Sequence, residues 1–484
     1  MSDGETGGWR WLLASGLVLA VLLRVPGLWT ELWMDEILSV RLVETLRSPL
    51  GVFTDIHSDN NHYVNSLWLY AVGSRAPGWL MRLPTLVLGT ALVVLAYRVT
   101  RARGRTAAAA TAALFAVSYP LIHYSSEARG YGYLVFFTLL AYGAFRRWTS
   151  GGSARAGAVY AVGSALAFLS HLGFATVFAA FVLWSVLEVR DSRENRASVA
   201  WSHVGVHLLP AVTLLILYFV DIRFMTAAGG FARLGPLESL AGAAGLVTGV
   251  APGAVGLLVA VCAWVAIAFG ARSWYHENRN ETIFLVAAIA LSLASGALPG
   301  YGYPRYYLTA LLFSLLFLGH ATALAMASER WKVLGIALLV MVGAVNLTQT
   351  VRFVSVGRGM YLEATEFMAA KAALGPVTVA GSHDLGSVLA LDYYTASTGS
   401  EGVLEYYCHT ASTYGCSRAR PSSSRGEEPP RFYLLASLSD RFSHPEVLSV
   451  PDLDQYEFVR SYPKYGLSGV YWVLYERSGQ RSAP

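Results

Sequence analysis

Long apolar runs separated by short polar loops fill the first 350 residues of the chain. A helix of about 20 apolar residues crosses the hydrocarbon core of a bilayer. The predicted spans are 11–29, 81–98, 106–121, 131–146, 156–171, 173–189, 203–220, 252–270, 282–299, 306–326 and 332–348. The pattern therefore predicts a polytopic α-helical membrane protein with about eleven transmembrane helices.

The pattern changes near residue 350, where alternating apolar residues replace the long runs. Period-two alternation predicts strands at Val377–Ala380, Arg431–Leu435 and Gly469–Tyr475. Helical periodicity predicts helices at Thr365–Leu374 and Leu385–Tyr394. The expected organisation is a membrane domain over 1–349 followed by a small α/β domain over 350–484.

Charge gives an orientation to this arrangement. Of the 484 residues, 55% are hydrophobic and 14% are charged, fewer charged residues than soluble domains carry. Every second loop is basic, and cytoplasmic loops collect arginine and lysine. The arginines and lysine concerned are Arg98, Arg101, Arg103, Arg105, Arg146, Arg147, Arg155, Arg190, Arg193, Arg196, Arg272, Arg279, Arg330 and Lys332. The N-terminus and these loops are thus predicted to be cytoplasmic. The first loop, 30–80, and the C-terminal domain are predicted to be extracytoplasmic.

The net charge of +5 follows largely from this unequal distribution of basic residues between the loops, and it does not indicate a nucleic-acid partner.

Two of the three cysteines lie close together in the predicted outer domain. Cys408 and Cys416 would close a short loop outside the cytoplasm, which favours a disulfide bond, with two free thiols as the alternative. Cys262 lies in an apolar run and is interpreted as a packing residue.

Adjacent acids follow the first predicted span. Asp35 and Glu36 lie close to the bilayer surface, where a low dielectric penalises two like charges. This placement favours a functional pair, because a carboxylate at such a place could take a proton from an attacking hydroxyl. The alternative is a helix-starting pair, because acids are favourable in a first helical turn.

The other predicted outer loops are rich in polar and aromatic residues. Arg129 and Arg305 could each grip a phosphate through two parallel hydrogen bonds, or could anchor helix ends by reaching to lipid headgroups. Tyrosines could supply stacking faces for a sugar or an isoprenoid chain. The candidate substrate-binding residues are Asp59, Asn61, His62, Glu127, Arg129, Tyr131, His171, Arg305, Tyr306 and Tyr307. Such a set suits glycosyl transfer from a polyprenyl-phosphate sugar.

A divalent cation is a further possibility. Glu36, His57 and His62 are the candidate ligands, because imidazole and carboxylate groups suit divalent metals. The alternative is a pair of interfacial histidines hydrogen-bonded to backbone.

At four places the chain resembles the GT-C superfamily of integral membrane glycosyltransferases, in the branch of protein mannosyltransferases and aminoarabinose transferases, family 39. The motifs are Asp35-Glu36, Asp59-Asn-Asn-His62 with Trp79-Leu-Met-Arg82-Leu-Pro84, Ser126-Glu-Ala-Arg129-Gly-Tyr131, and Pro304-Arg-Tyr-Tyr307. The resemblance implies an inverting transferase with Asp35 as catalytic base and Glu36 beside it in acceptor or metal binding. Many relatives have His-Pro-Pro where this chain reads Asn61-His62-Tyr63-Val64, which affects the expected sugar or acceptor.

The resemblance implies a polyprenyl-phosphate-linked donor, a glycan, lipid or protein acceptor, and a bacterial or archaeal plasma membrane. Two other classes remain open. One is a flippase for lipid-linked sugars, although transporters usually carry internal repeats, and none is visible in this sequence. The other is a non-catalytic scaffold in an envelope complex.

Overall fold

The structure is a computed structural model that describes residues 3–192, 195–226, 235–249, 254–297, 302–372, 375–409, 418–419, 428–440, 442–451 and 453–479. The chain divides into two compact units. The membrane unit comprises Met1–Leu28 and Leu42–Val351, and the C-terminal unit comprises Trp29–Arg41 and Arg352–Pro484.

Helices make up the membrane unit. In chain order, with α2 shared between the units, they are α1 Asp3–Arg24, α2 Met34–Glu44, α3 Gly51–Thr54, α4 Tyr63–Val72, α5 Gly78–Met81, α6 Leu83–Thr100, α7 Arg105–Val117, α8 Tyr119–Tyr124, α9 Tyr131–Thr149, α10 Ala154–Ser170, α11 Phe174–Asp191, α12 Arg196–Val220, α13 Pro236–Leu246, α14 Ala254–Glu277, α15 Arg279–Ala297, α16 Leu308–Ala327 and α17 Lys332–Val356. Short 3₁₀ turns cover Val25–Trp29, Arg101–Arg103, Ile222–Phe224 and Pro304–Tyr307.

Within the described residues, each of the eleven predicted spans overlaps at least one of these helices. By length and apolarity, six of the described helices can cross a membrane unaided, or seven if a bent pair near the N-terminus counts as one span. The predicted span 106–121 is interrupted, because α7 ends at Val117 and α8 begins at Tyr119 with Pro120 in its first turn. Proline disfavours helical geometry in the residue before it and has no N–H to donate.

The span α16 lies deepest in the membrane unit. Every residue from Leu308 to Ala323 is buried, and the helix packs against α7, α14 and α15. Glycine permits these close approaches. A Cβ on Gly319 would lie 2.2 Å from Thr111 Oγ1, and one on Gly270 would lie 2.3 Å from the carbonyl oxygen of Phe317. Small residues at such contacts are typical of helix packing in membranes.

A mixed seven-stranded sheet and two helices form the body of the C-terminal unit. The helices are α18 Tyr361–Ala369 and α19 Asp384–Thr398, and the strands are β1 Val377–Gly381, β2 Leu404–Cys408, β3 Arg418–Ala419, β4 Phe432–Ser437, β5 Val447–Ser449, β6 Gln455–Tyr462 and β7 Tyr471–Arg477. The strand order is β3-β2-β1-β4-β7-β6-β5. The first four strands in that order pair in parallel, and the remaining pairs are antiparallel. The predicted α/β class is confirmed.

The segment Trp29–Arg41 belongs to the C-terminal unit although it lies early in the sequence. The Glu31 carboxylate accepts hydrogen bonds from the backbone N–H groups of Tyr361 and Leu362, at 2.5 and 3.0 Å. These groups begin α18, so Glu31 caps that helix and complements its dipole. The Tyr394 hydroxyl donates to the carbonyl oxygen of Leu32 at 2.8 Å.

Candidate functional site

Five predicted residues of the membrane unit come together as one group, which we call the histidine–arginine cluster. Its members are His62, Arg129, Tyr131, His171 and Arg305. Helix ends position them. His62 precedes α4, Arg129 lies two residues before α9, His171 follows α10 and Arg305 lies in the turn before α16.

The rings of the cluster are in contact. The imidazoles of His62 and His171 stack with their centroids 5.1 Å apart, and the Tyr131 ring lies 4.9 Å from that of His171. The Arg129 guanidinium lies 5.0 Å from the centre of the Tyr131 ring. A Cβ on Gly130 would come within 2.8 Å of the His62 ring and 2.0 Å of the Ser170 carbonyl oxygen. Any side chain at Gly130 would collide with these groups, so glycine allows the loop to contact the imidazole directly.

The cluster is electropositive, and its surroundings favour the neutral form of both histidines. Burial, followed by the positive charges of Arg129 and Arg305, lowers the pKa of His171 to about 3. Burial and the same two arginines hold the pKa of His62 well below its usual range. Nδ1 of His171 accepts a hydrogen bond from the backbone N–H of Gly173 at 2.9 Å, which a neutral imidazole can do. The arrangement suits an anion held by guanidinium groups with neutral aromatic rings around it.

Arg129 is itself held by a residue that we did not predict. Its Nη2 donates to the Asn60 side-chain oxygen at 2.5 Å, and both side chains are buried. Arg305 is partly exposed and lies over the rings of Tyr303 and Tyr306, at 4.7 and 5.4 Å. The two arginines thus differ in exposure: Arg129 is buried, whereas Arg305 is partly exposed.

Asp221, which sequence reasoning missed, organises the loop that carries His62. It is fully buried at the C-terminal end of α12. It accepts hydrogen bonds from His57 Nδ1 and the Tyr63 hydroxyl, both at 2.7 Å. Its isolated position at the end of an apolar helix was the available signal, because a buried carboxylate needs donors.

The other predicted substrate-binding residues have different surroundings. The Asn61 amide donates to the carbonyl oxygens of Val52 and Ile56 at 2.8 and 3.2 Å, so it holds the loop. Asp59 is exposed, Tyr306 is partly exposed and Tyr307 packs against Gly296 on α15. Glu127 is buried and lies within electrostatic range of Tyr124, as does Arg305.

The acidic pair lies in the C-terminal unit, in the first turn of α2. Glu36 is fully buried, and its carboxylate accepts from the backbone N–H of Trp33 at 3.4 Å, while Glu36 N–H donates to the Trp33 carbonyl at 2.9 Å. The Glu36 carboxylate thus satisfies a free backbone N–H at the start of α2, as the glutamate of a capping box does, so Glu36 has a structural task. Asp35 is 8% exposed.

A histidine unforeseen from the sequence accompanies Asp35. His383 begins α19, and its Nδ1 accepts from the Gly386 backbone N–H at 3.1 Å. Burial lowers the pKa of His383, while the charges of Asp384 and Asp35 oppose that shift. His383 and Asp35 therefore lie close enough to interact electrostatically.

The candidate metal ligands have surroundings that do not fit a divalent cation. His57 Nδ1 is hydrogen-bonded to Asp221, and Glu36 caps its own helix. His62 lies close to the positive charges of Arg129 and Arg305, which would repel a cation. Within the described ranges, no group of three or more His, Cys, Asp or Glu side chains could hold a metal ion.

The predicted disulfide stays a prediction. Cys408 is fully buried at the end of β2, and Cys416 lies outside the described residues. Cys262 is a free, exposed cysteine on α14.

Comparison with known proteins addresses the fold. No family profile matches the chain, and no curated protein matches it by sequence. Among solved structures it resembles ArnT from Cupriavidus metallidurans in the apo state, with a TM-score of 0.59 and 12% identity over 100% of both chains. ArnT bound to undecaprenyl phosphate gives a TM-score of 0.56 and 11% identity over 99% of both chains. The archaeal oligosaccharyltransferase AglB from Archaeoglobus fulgidus, in complex with an inhibitory peptide and a dolichol-phosphate, gives 0.47 and 12% identity over 90% of this chain and 70% of that one.

The likeness to ArnT extends over the complete chain, through both the helical part and the C-terminal part. It agrees with the resemblance expected from the motifs and with the order of elements described above. This chain is therefore a polytopic helical membrane protein with the GT-C fold and a C-terminal mixed α/β unit.

Proposed function

We propose that the protein is an inverting glycosyltransferase that moves a monosaccharide from a polyprenyl-phosphate donor to an acceptor on the extracytoplasmic face of a plasma membrane. The observation that carries the proposal is the histidine–arginine cluster, in which two guanidinium groups lie beside neutral imidazoles. The fold supports it, because one structure of ArnT with that fold is bound to undecaprenyl phosphate.

In this mechanism the arginines act on the leaving group. As the bond between the anomeric carbon and the phosphate oxygen breaks, negative charge grows on the phosphate. Arg305 and Arg129 stabilise that charge more strongly in the transition state than in the ground state, which accelerates the reaction. The bond from Arg129 to Asn60 fixes one donor in advance, so little reorganisation is needed.

Asp35 takes the role of general base. The acceptor hydroxyl attacks the anomeric carbon, its proton passes to the Asp35 carboxylate, and polyprenyl phosphate departs. Support comes from the burial of Asp35 in the first turn of a helix and from its electrostatic interaction with His383. Glu36 contributes by capping the helix that carries Asp35. No step runs through a metal ion.

The test uses purified protein in nanodiscs with a polyprenyl-phosphate sugar and candidate glycan, lipid and protein acceptors. We expect the wild type to release polyprenyl phosphate together with a glycosylated product. Asp35→Asn should bind the donor as the wild type does and lose turnover by roughly 100-fold or more. Asp55→Asn, an exposed acid with a partner in Thr54, is the matched control.

Three results would contradict the proposal or a part of it. Full turnover in Asp35→Asn would remove Asp35 as the base. Movement of labelled lipid across the bilayer with no glycosidic product would identify a flippase, and the absence of both would favour a scaffold.

A further inference from the structure

A second cationic site lies at the opposite ends of the helices that carry the histidine–arginine cluster. Arg129 lies two residues before the start of α9, and His171 immediately follows the end of α10. The end of α9 and the start of α10 border a cavity of about 810 Å³. Helices of 17 and 19 residues separate the two places by roughly 25 Å or more.

Four arginines line this cavity, which we call the arginine pocket. They are Arg98 at the end of α6, Arg146 and Arg147 at the end of α9, and Arg155 at the start of α10. By the arginine distribution along the chain, this is the predicted cytoplasmic end of the spans.

Little negative charge balances the pocket. Arg98, Arg147 and Arg155 are exposed, and within the described part of the chain none of them has an acidic partner. Arg146 differs, because it lies 3.4 Å from Glu281 and donates to the Val99 carbonyl oxygen at 2.7 Å. Three positive charges therefore surround the cavity without compensation by the protein.

The remaining wall is apolar and comes from the spans themselves. Leu95, Leu140 and Val159 line it, one from each of α6, α9 and α10. The loop that closes the pocket approaches tightly, since a Cβ on Gly152 would lie 2.1 Å from the Arg147 carbonyl oxygen. A cationic rim above an apolar wall suits a ligand with an anionic head and a hydrocarbon chain.

We propose that the arginine pocket binds an anionic phospholipid of the adjacent leaflet. Its phosphate accepts hydrogen bonds from Arg147 and Arg155, and the start of an acyl chain lies against Leu95, Leu140 and Val159. A water-soluble anion would use the rim and leave the apolar wall unused, so the wall favours a lipid. This site does not depend on the proposed transferase reaction.

Native mass spectrometry of the detergent-purified full chain tests this site. The probes are dioleoyl phosphatidylglycerol, dioleoyl phosphatidylcholine and free glycerol phosphate. We expect a retained preference for phosphatidylglycerol over phosphatidylcholine. In Arg147→Gln/Arg155→Gln the apparent affinity for phosphatidylglycerol should fall about 25-fold, at about fivefold for each arginine. Arg147→Lys/Arg155→Lys, which keeps the charge, should recover most of the loss.

Arg272→Gln/Arg330→Gln is the matched control, because both arginines are exposed and lie on the same predicted side of the membrane. It should change the affinity for phosphatidylglycerol less than about twofold. Equal losses in the two double variants would overturn the proposal, as would equal binding of the two phospholipids. Glycerol phosphate competing as strongly as the lipid would also overturn it, because the wall would then contribute nothing. Size-exclusion profiles identical to the wild type establish that the variants fold.

Discussion

The charge state of two histidines sets the character of the candidate site. His62 and His171 could have carried positive charge and bound phosphate themselves. Instead, burial and the neighbouring arginines depress the pKa of both imidazoles, which leaves Arg129 and Arg305 as the cations. The sequence identified these four residues as candidates. It could not give their protonation, because that depends on distances between loops far apart in the chain.

The lowered pKa values of His62 and His171 predict that the stability of the folded protein depends on pH. The pKa of His171 is about 3 in the folded protein against an ordinary 6.5. As the pH falls from 6.5 toward 3, the unfolded chain binds a proton that the folded chain does not, so stability decreases. His62→Gln/His171→Gln should make the melting temperature fall less between pH 6.5 and 4. His276→Gln, at an exposed position on α14, should leave the slope unchanged. An unaltered slope in the double variant would show that the two imidazoles are protonated in the folded protein.

Arg305 is predicted to act mainly on turnover. Arg305→Ala removes a donor that stabilises the departing phosphate, so kcat should fall roughly 100-fold or more. Arg305→Lys keeps the charge but loses the planar fork and should retain part of the activity. Arg223→Ala removes an exposed arginine that lies over Phe224, at 4.5 Å from its ring, and should have no effect on release of polyprenyl phosphate. Wild-type kcat in Arg305→Ala would transfer the role to Arg129.

Among the secondary-structure elements, the C-terminal end of α12 unexpectedly holds the loop that carries His62. Asp221 connects it to the loop of His57 and to the first residue of α4, Tyr63. The loop that carries His62 is thereby held between two helices. Nothing in the local sequence of that loop indicates this partner, which lies more than 150 residues away.

Removal of one of these hydrogen bonds should loosen the loop. Tyr63→Phe deletes the hydroxyl that donates to Asp221, and a hydrogen bond to a charged group contributes about 2 kcal/mol. We expect a lower melting temperature and a raised KM for the donor, with a smaller change in kcat. Tyr70→Phe is the control, because this residue of α4 makes no side-chain hydrogen bond within the described ranges. Identical melting curves for the two variants would contradict a role for Asp221 in holding the loop.

The helices were more predictable than the sheet for a physical reason. Bilayer thickness imposes a minimum length on each span, so within the described residues all eleven apolar runs overlap helices. Strands have no such constraint. β3 and β5 have two and three residues, too few for an alternating pattern to be recognised. β6 has eight residues, but only two of them are buried.

At the scale of the whole molecule, the grouping of Trp29–Arg41 with the C-terminal unit could not be anticipated. The acidic pair follows the first predicted span, so its position in the sequence placed it in the membrane domain over 1–349. Its actual partners are the carboxylate-capped start of α18 and the Tyr394 hydroxyl. The C-terminal unit therefore holds Asp35 as well.

Disturbance of that attachment should reduce catalysis at a distance. Glu31→Gln weakens the cap on α18 and allows the segment to shift, and misplacement of a catalytic group by about 1 Å can lower the rate roughly 100-fold. We expect a lower kcat with unchanged binding of polyprenyl phosphate. Glu366→Gln, at an exposed position on α18, is the matched control. A fall in donor affinity equal to the fall in kcat would indicate general unfolding instead.

The attachment of Glu31 also has a consequence for biosynthesis. Its partner Tyr361 is translated 330 residues later. At ordinary rates of synthesis, the segment carrying Asp35 would wait roughly 15 to 65 seconds for the unit that orders it. Throughout membrane insertion the nascent chain would have its arginines without an ordered base. We therefore expect a ribosome-bound chain to become competent for transfer only after the last strands of the sheet have emerged.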